Sequence, residues 1–409
     1  MKSLALLSVA VLGCAAIWAQ NTSRDSGKNA GNQQGAAAAR RAAGTGTSTG
    51  AGNAGDMAVA KGAKWLASVQ GGDGGWGQDG GDPSFVRQGI PLESQGNDVA
   101  NTAIAALALL RAGNQYRPNV ERAVAFILQR VEASPADGLS ITDGKQTQVQ
   151  RKLGPYIDTF VASMLLAQVD GTFTKSNARI RSGLEKCVAK IERNQTKDGS
   201  WNTGGGWAPI LGTSLASRGL YAAQQKGVAV NQDVIARADD YTVKNQQGRD
   251  SMTSGSGAGP GRGAGGGMAT LSGAASADHA AGIGGGALSA AAGVDLYQDA
   301  QALEQLSRTR ESQAKNAKQI AAINHKLSDP RFVNGYGSIG GEEFFSYLNI
   351  SDSLRRLGGK PWSDWHSQIT QKLLKLQNDD GTWAGQHCIT GRCAVTSAAI
   401  LNLTTDPVD

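Results

Sequence analysis

Three stretches of this chain close a helix in the same way. Trp65-Leu66-Ala67-Ser68-Val69-Gln70 runs to Asp73-Gly74-Gly75-Trp76. Ile191 to Gln195 runs to Asp198-Gly199-Ser200-Trp201, and Leu373 to Gln377 runs to Asp380-Gly381-Thr382-Trp383. Asp-Gly permits a tight turn, the Gln amide can reach backbone groups freed at the helix end, and the indole can cover that end. A unit that recurs this way must be buried against its own copies, which points to a repeat architecture with one shared core.

Weaker copies fill the gaps. Phe126-Ile127-Leu128-Gln129 leads to Asp137-Gly138-Leu139, Tyr241 to Gln246 leads into a glycine tract, and Ile320 to Leu327 leads to Asn334-Gly335-Tyr336-Gly337. After each copy comes a second helix of smaller residues: Asn97 to Gly113, Pro155 to Gln168, Pro209 to Gly227, Ile283 to Gln298, Glu342 to Leu357 and Cys393 to Leu403. First helices such as Val120 to Ile127 carry charge on one face, whereas second helices such as Val99 to Leu110 are apolar nearly all round. The first class is expected to face water and the second to be buried. Six hairpins could stack openly or close. An open solenoid needs polar terminal caps, and here the terminal pairs keep the full pattern, so the expected fold is an all-α (α/α)6 toroid spanning residues 57–405.

The Gln...Asp-Gly-x-Trp signature is similar to the repeat of squalene-hopene cyclases and protein prenyltransferase β subunits, and from Met57 to about Leu403 the chain resembles that family, whose domains are α/α toroids. The stretch Gly340 to Tyr347 through His387 to Arg392 looks like that of exported bacterial proteins carrying this repeat, for which the resemblance implies no established reaction. A class II terpene cyclase would need an Asp-x-Asp-Asp acid, and none is present: Asp239-Asp240 and Asp379-Asp380 lack the third carboxylate. Carbocations also need π faces, and the inner helices offer only Tyr156, Phe160, Tyr221, Tyr297, Phe344, Phe345 and Tyr347 in a chain that is 5% aromatic. The Asp-x-Cys of a prenyltransferase zinc site is missing, as are the Gly-Cys-Gly-Glu-Gln of a thioester domain and the Asp-Asp-x-x-Asp of diphosphate binding.

Other site candidates come from topology. Inner helices of a hairpin barrel run parallel, so six positive dipole ends share one rim. Tyr156, Glu343, Tyr347, His387 and Arg392 are the candidate contacts there. Asp98, Asp158, Glu342 and Glu343 begin inner helices, where a carboxylate caps free N–H groups; the competing reading pairs them across a cleft, as in polysaccharide-cleaving barrels. A Cys388–Cys393 disulfide is expected in an oxidising compartment, with Cys187 a small buried residue. No metal is expected; the alternative is a cluster of His387, Cys388 and Cys393, with His366 as a fourth ligand.

Glycine makes up 56 of 409 residues without a strict period, which excludes collagen, and 40% hydrophobic content supports a real core. Lys2 followed by the apolar run Leu4 to Ile17 reads as an export signal ending at Ala19, too short to span a bilayer. A rival reading lipidates Cys14 within Val11-Leu12-Gly13-Cys14, which would be the chain's one membrane attachment. Residues 20–56 read as a disordered Gly/Ala/Ser-rich leader, and 248–286 as a flexible glycine-rich insertion carrying His279. The net charge of +6 is scattered, so nucleic acid is not an expected partner. The function expected is an exported binding or scaffold module with no cofactor. Its partner would be an apolar small molecule, a glycan or an envelope protein, taken in the central cavity or at the rim. The alternatives are a terpenoid or prenyl-lipid enzyme and a polysaccharide-active barrel.

Overall fold

The computed structural model describes residues 48–78, 96–142, 147–202, 209–254, 295–334 and 339–404. The chain divides into Met1–Thr49 and Gly50–Asp409, and the account below concerns the second unit. The expected signal, Cys14, most of the leader and most of the glycine insertion lie outside the described residues.

The regular secondary structure of the described residues is helical, with no strand beyond an isolated bridge between Trp76 and Asp98. The inner helices are α2 (Val99–Ala112), α5 (Ile157–Val169), α7 (Pro209–Gln225), α9 (Asp295–Leu306), α13 (Gly341–Leu357) and α15 (Arg392–Leu403). Each packs on the next, and α15 packs back on α2, so the six close into a ring. Around them lie α1 (Ser48–Ser68), α3 (Arg117–Ala133), α6 (Asn177–Arg193), α8 (Gln232–Ser254), the pair α10 (Arg310–Lys315) and α11 (Ala317–Lys326), and α14 (Gly359–Leu376). Two short helices, α4 (Gln148–Leu153) and α12 (Pro330–Val333), complete the set. The core is the seam between the two layers, with Leu66, Leu109, Ile127, Leu165, Ile191, Leu303, Leu373 and Ile400 all buried.

The repeated turn builds this seam by the same bonds each time. The indole N–H of Trp76, Trp201 and Trp383 donates to the carbonyls of Leu66, Ile191 and Leu373 at 2.8, 2.7 and 2.8 Å. The Asp oxygens of Asp73, Asp198 and Asp380 accept the amide two residues on at 3.0 Å. Each Gln amide donates twice, once to its own turn and once to another outer helix: Gln70 to Asn119 at 3.0 Å, Gln195 to Val234 at 2.8 Å and Gln377 to Ala58 at 2.9 Å. The last of these joins the sixth hairpin to the first. The amide of each Trp donates to a threonine of its inner helix, Thr102, Thr213 or Thr396.

Three boundaries differ from the sequence reading. Helix α1 begins at Ser48, inside the stretch expected to be a disordered leader. Helix α8 continues to Ser254, past the start expected for the insertion at residue 248. The fourth inner helix is described from Asp295 to Leu306 and so extends beyond Gln298. The polar run Gln301, Glu304 and Gln305 hid that extension, because side chains of this kind normally signal a helix end at the surface, yet here all three are buried.

Candidate functional site

The amino-terminal mouth of the ring holds the acidic cluster. Asp98 caps α2, accepting from the Asn101 amide at 2.9 Å. Asp158, in the first turn of α5, accepts from the Thr142 hydroxyl at 2.8 Å and the Gln150 amide at 2.9 Å. Both line a cleft of about 610 Å3 together with Asn97, Ser134, Ser140 and Thr142. Burial, reinforced by the neighbouring Asp158 charge, pushes Asp98 up to about 7. Burial likewise raises Asp158 to about 6, against the bonds from Thr142, Gln150 and the Ala100 amide.

Helix α4 lies across this mouth. Its Gln148 accepts from the Thr390 amide at 3.0 Å and the Gly391 amide at 3.3 Å, just ahead of α15. Two residues on, Gln150 holds Asp158. At its far end Lys152 faces Glu342 and Cys388, where its charge counteracts the upward push of burial on both groups.

The two acidic residues that open α13 are used differently. Glu343 closes a capping box on the Gly340 amide at 2.8 Å, accepts from the Tyr297 hydroxyl at 2.6 Å and lies 3.6 Å from His387 Nε2. Glu342 is wholly buried, and neither of its side-chain oxygens has a hydrogen-bond partner. Burial raises its carboxyl to about 7.

The opposite half of the bore is filled by charge. Arg111 of α2 lies 3.5 Å from Asp352 of α13, and Arg218 of α7 pairs with the same carboxylate and with Asn349. These three helices alternate around the ring, so side chains that meet between them cross its interior. Burial works against the Asp352 charge, but Arg111, Arg218 and Arg356 hold its carboxyl below the usual range. Close by, Glu304 of α9 pairs with Arg308 at 2.6 Å and Arg356 at 3.7 Å. The small apolar residues of the inner helices would suit a narrow bore filled by Ala and Leu. The plug is ionic instead, and its signal was present as isolated Arg and Asp residues within otherwise apolar helices.

The rim residues named from sequence divide into two groups. Glu342, Glu343 and His387 come together with Cys388 of the alternative metal set, and the structure adds Gln150 and Lys152, which sequence reasoning missed because α4 had no repeat pattern to mark it. Tyr156 is half-buried at the start of α5. Tyr347 points toward the outer layer, with its hydroxyl donating to the Val333 carbonyl at 2.6 Å and its ring 6.0 Å from Trp365. Arg392 binds Asp380 of the repeat turn at 3.1 Å and lies over the Trp65 ring.

The expected disulfide is corrected: Cys187, Cys388 and Cys393 are all free thiols. Cys393 is on α15 and turns to α2, its sulfur 3.9 Å from the Asn101 carbonyl. Cys388, in the loop, turns to Glu342 through a left-handed backbone with φ of 54°. For the same reason the alternative metal set changes, since Glu342 takes the place given to Cys393. His366 stacks on Trp362 at 4.8 Å. Cys187 is buried, and burial pushes its thiol up to about 12, as suits a packing residue. No helix among the described residues is long and apolar enough to cross a membrane.

Comparison with known proteins points the same way as the repeat. The squalene-hopene cyclase C-terminal domain model matches residues 44–139, which cover the first hairpin and the second outer helix. The squalene–hopene cyclase of Bradyrhizobium diazoefficiens is 38% identical over 73 residues, which is 18% of this chain and 11% of that enzyme. The chain therefore matches only a small part of its curated relative. With the thrice-built turn and the closed helical ring beside these matches, the chain is similar to the squalene-hopene cyclase family in its first hairpins and in its all-α repeat fold.

Proposed function

We propose that the ring is a binding module that takes a polar ligand at its amino-terminal mouth, outside the cytoplasm, and does not cyclise polyenes. The observation that carries this reading is the Arg111–Asp352–Arg218 bridge, which occupies the space a folded hydrocarbon would need. The inner-helix aromatics do not supply a cation path in its place. Tyr347 and Phe344 pack toward Trp365, Phe160 lies edge-on to Trp201, and the Tyr297 hydroxyl is held by Glu343. The mouth is lined by amide, hydroxyl and carboxyl groups, which suit a hydroxylated ligand such as a glycan better than an apolar one. Export rests on the segment Lys2 to Ala19.

Two measurements test this. Full-length chain incubated with squalene should return it unchanged, and a cyclised triterpene among the products would overturn the proposal. Native mass spectrometry of chain purified from its own cell envelope should show a polar companion; a bound isoprenoid would count against it.

One observation favours a second reading. Asp98 and Asp158 line one cleft with one carboxyl raised to about 7, an arrangement in which a carboxyl can act as general acid near neutral pH. A glycan-cleaving activity would then be lost in Asp158→Asn and unaffected by Asp364→Asn, an exposed outer-helix carboxylate.

A further inference from the structure

We propose that Glu342, His387 and Cys388 form a binding site for a borderline-soft divalent cation of the zinc class. Each side chain offers one ligand atom, and these atoms lie within 4.8 Å of one another. A thiolate, an imidazole and a carboxylate suit zinc or cobalt(II) rather than magnesium or calcium, which take oxygen donors.

Glu342 supplies the independent observation. Its carboxylate is buried at 0% exposure with no hydrogen bond to either oxygen. Every other acidic group at this mouth is used by the fold: Asp98 caps a helix, Asp158 fastens Thr142 and Gln150, and Glu343 holds Gly340 and Tyr297. A buried carboxylate with no hydrogen-bond donor and only the nearby Lys152 and His387 charges to oppose its burial costs free energy that a bound cation would offset.

The loop that carries the other two donors is held in place before any ion arrives. The Gln386 amide donates to the Ile339 carbonyl at 2.7 Å, and the Gly341 amide donates to the Ile389 carbonyl at 3.0 Å. These bonds bracket His387 and Cys388 and tie them to the first turn of α13, which carries Glu342. Gly340 lets the imidazole approach, because a Cβ there would lie 2.7 Å from two atoms of the ring. Cys388 alone among the described non-glycine residues has a positive φ, at 54°, and that backbone brings its sulfur to Glu342. Strain of this kind persists where the surroundings over-determine it and clusters at ligand clamps.

Lys152 and the positive end of α13 both oppose a cation, and the two anionic donors must outweigh them. Lys152 then acts as the counter-ion that a metal replaces. This assignment differs from a purely structural cluster in one respect: removing Lys152 should strengthen metal binding.

The test is a cobalt(II) titration of reduced, metal-free, full-length chain. The expected result is one equivalent bound with a thiolate-to-cobalt charge-transfer band, reversed by zinc. Cys388→Ser should abolish the band and Cys187→Ser should leave it. Glu342→Gln and His387→Ala should each weaken binding on the order of 10-fold or more, the loss typical even of supporting residues. Lys152→Ala should tighten it. Cys388 is half-buried in a loop, so its serine variant keeps the test open if Glu342→Gln fails to fold. Absence of stoichiometric binding by the unaltered chain overturns the proposal, as does a band that survives in Cys388→Ser or is lost in Cys393→Ser alone. Because only the metal is added, failure here leaves the reading of the mouth as a ligand site standing.

Discussion

At the scale of single residues, Asp98 makes a testable statement about pH. Its folded value of about 7 lies above its ordinary 3.8, so the folded chain keeps a proton that the unfolded chain has released. The stability this group contributes is therefore present below about pH 4 and lost as pH rises toward 7. The titratable groups that face it among the described residues are Asp158 on α5 and Cys393 on α15. Asn caps a helix about as well as Asp. Asp98→Asn should thus unfold like the parent chain near pH 4 and gain on the order of 2–4 kcal/mol at pH 8, as read by urea unfolding at the two pH values. Equal stability at pH 8 would show that Asp98 ionises normally. The capping role of Asp98 could be read from its place before an apolar helix. The different fate of Glu342 and Glu343, adjacent in sequence, could not, because it depends on which of them meets Gly340 and Tyr297 from other segments.

At the scale of the element, the repeat turn uses glycine for two separate reasons, and they can be told apart. Gly381 has φ of +86° and a Cβ there would sit 2.8 Å from the Lys61 side chain of α1, whereas Gly138, at +75°, has open space around it. Gly138→Ala should cost only the left-handed backbone strain, about 1–2 kcal/mol. Gly381→Ala should cost clearly more, since α1 must move as well, and thermal unfolding of the two variants side by side checks the order. The buried indole of Trp383 gives a second prediction. Trp383→Phe removes the 2.8 Å bond to Leu373 and leaves that carbonyl without its donor, which with the lost volume should cost about 2–4 kcal/mol. These turns were legible because their indole, Asp and first Gln bonds all join residues within ten positions of one another. The Gln contact to a neighbouring outer helix is not of this kind, and the sequence supported only the statement that its amide would find some backbone group.

At the scale of the whole molecule, closure and the ionic plug belong together. Arg111, Arg218 and Asp352 can meet only if α2, α7 and α13 surround one axis, so a charged residue inside each apolar helix makes sense in the ring and nowhere else. Breaking the buried network on one side should be severe. Asp352→Ala leaves two guanidinium groups without their carboxylate and should cost about 3–5 kcal/mol, while replacing Asp352, Arg218 and Arg111 together by apolar residues of similar volume should restore most of that loss. Denaturant unfolding of the single and triple variants measures both, and an unaffected single variant would mean that water rather than the network fills the bore.

The helical hairpins, their inner and outer classes, the chemistry of the turn and the absence of every catalytic motif sought could be read from the order of residues alone. Each of these is carried by residues within about 15 positions of one another, where propensity, capping and periodicity act directly. The rest depends on contacts between distant parts of the chain. The tertiary structure shows that the bore is charged rather than lined with Ala and Leu, that Cys388 and Cys393 turn to different helices, that α4 crosses the mouth, and that Glu342 is brought to His387 and Cys388. These features join side chains from separate hairpins, and their geometry is set by how the ring closes rather than by any local pattern in the chain.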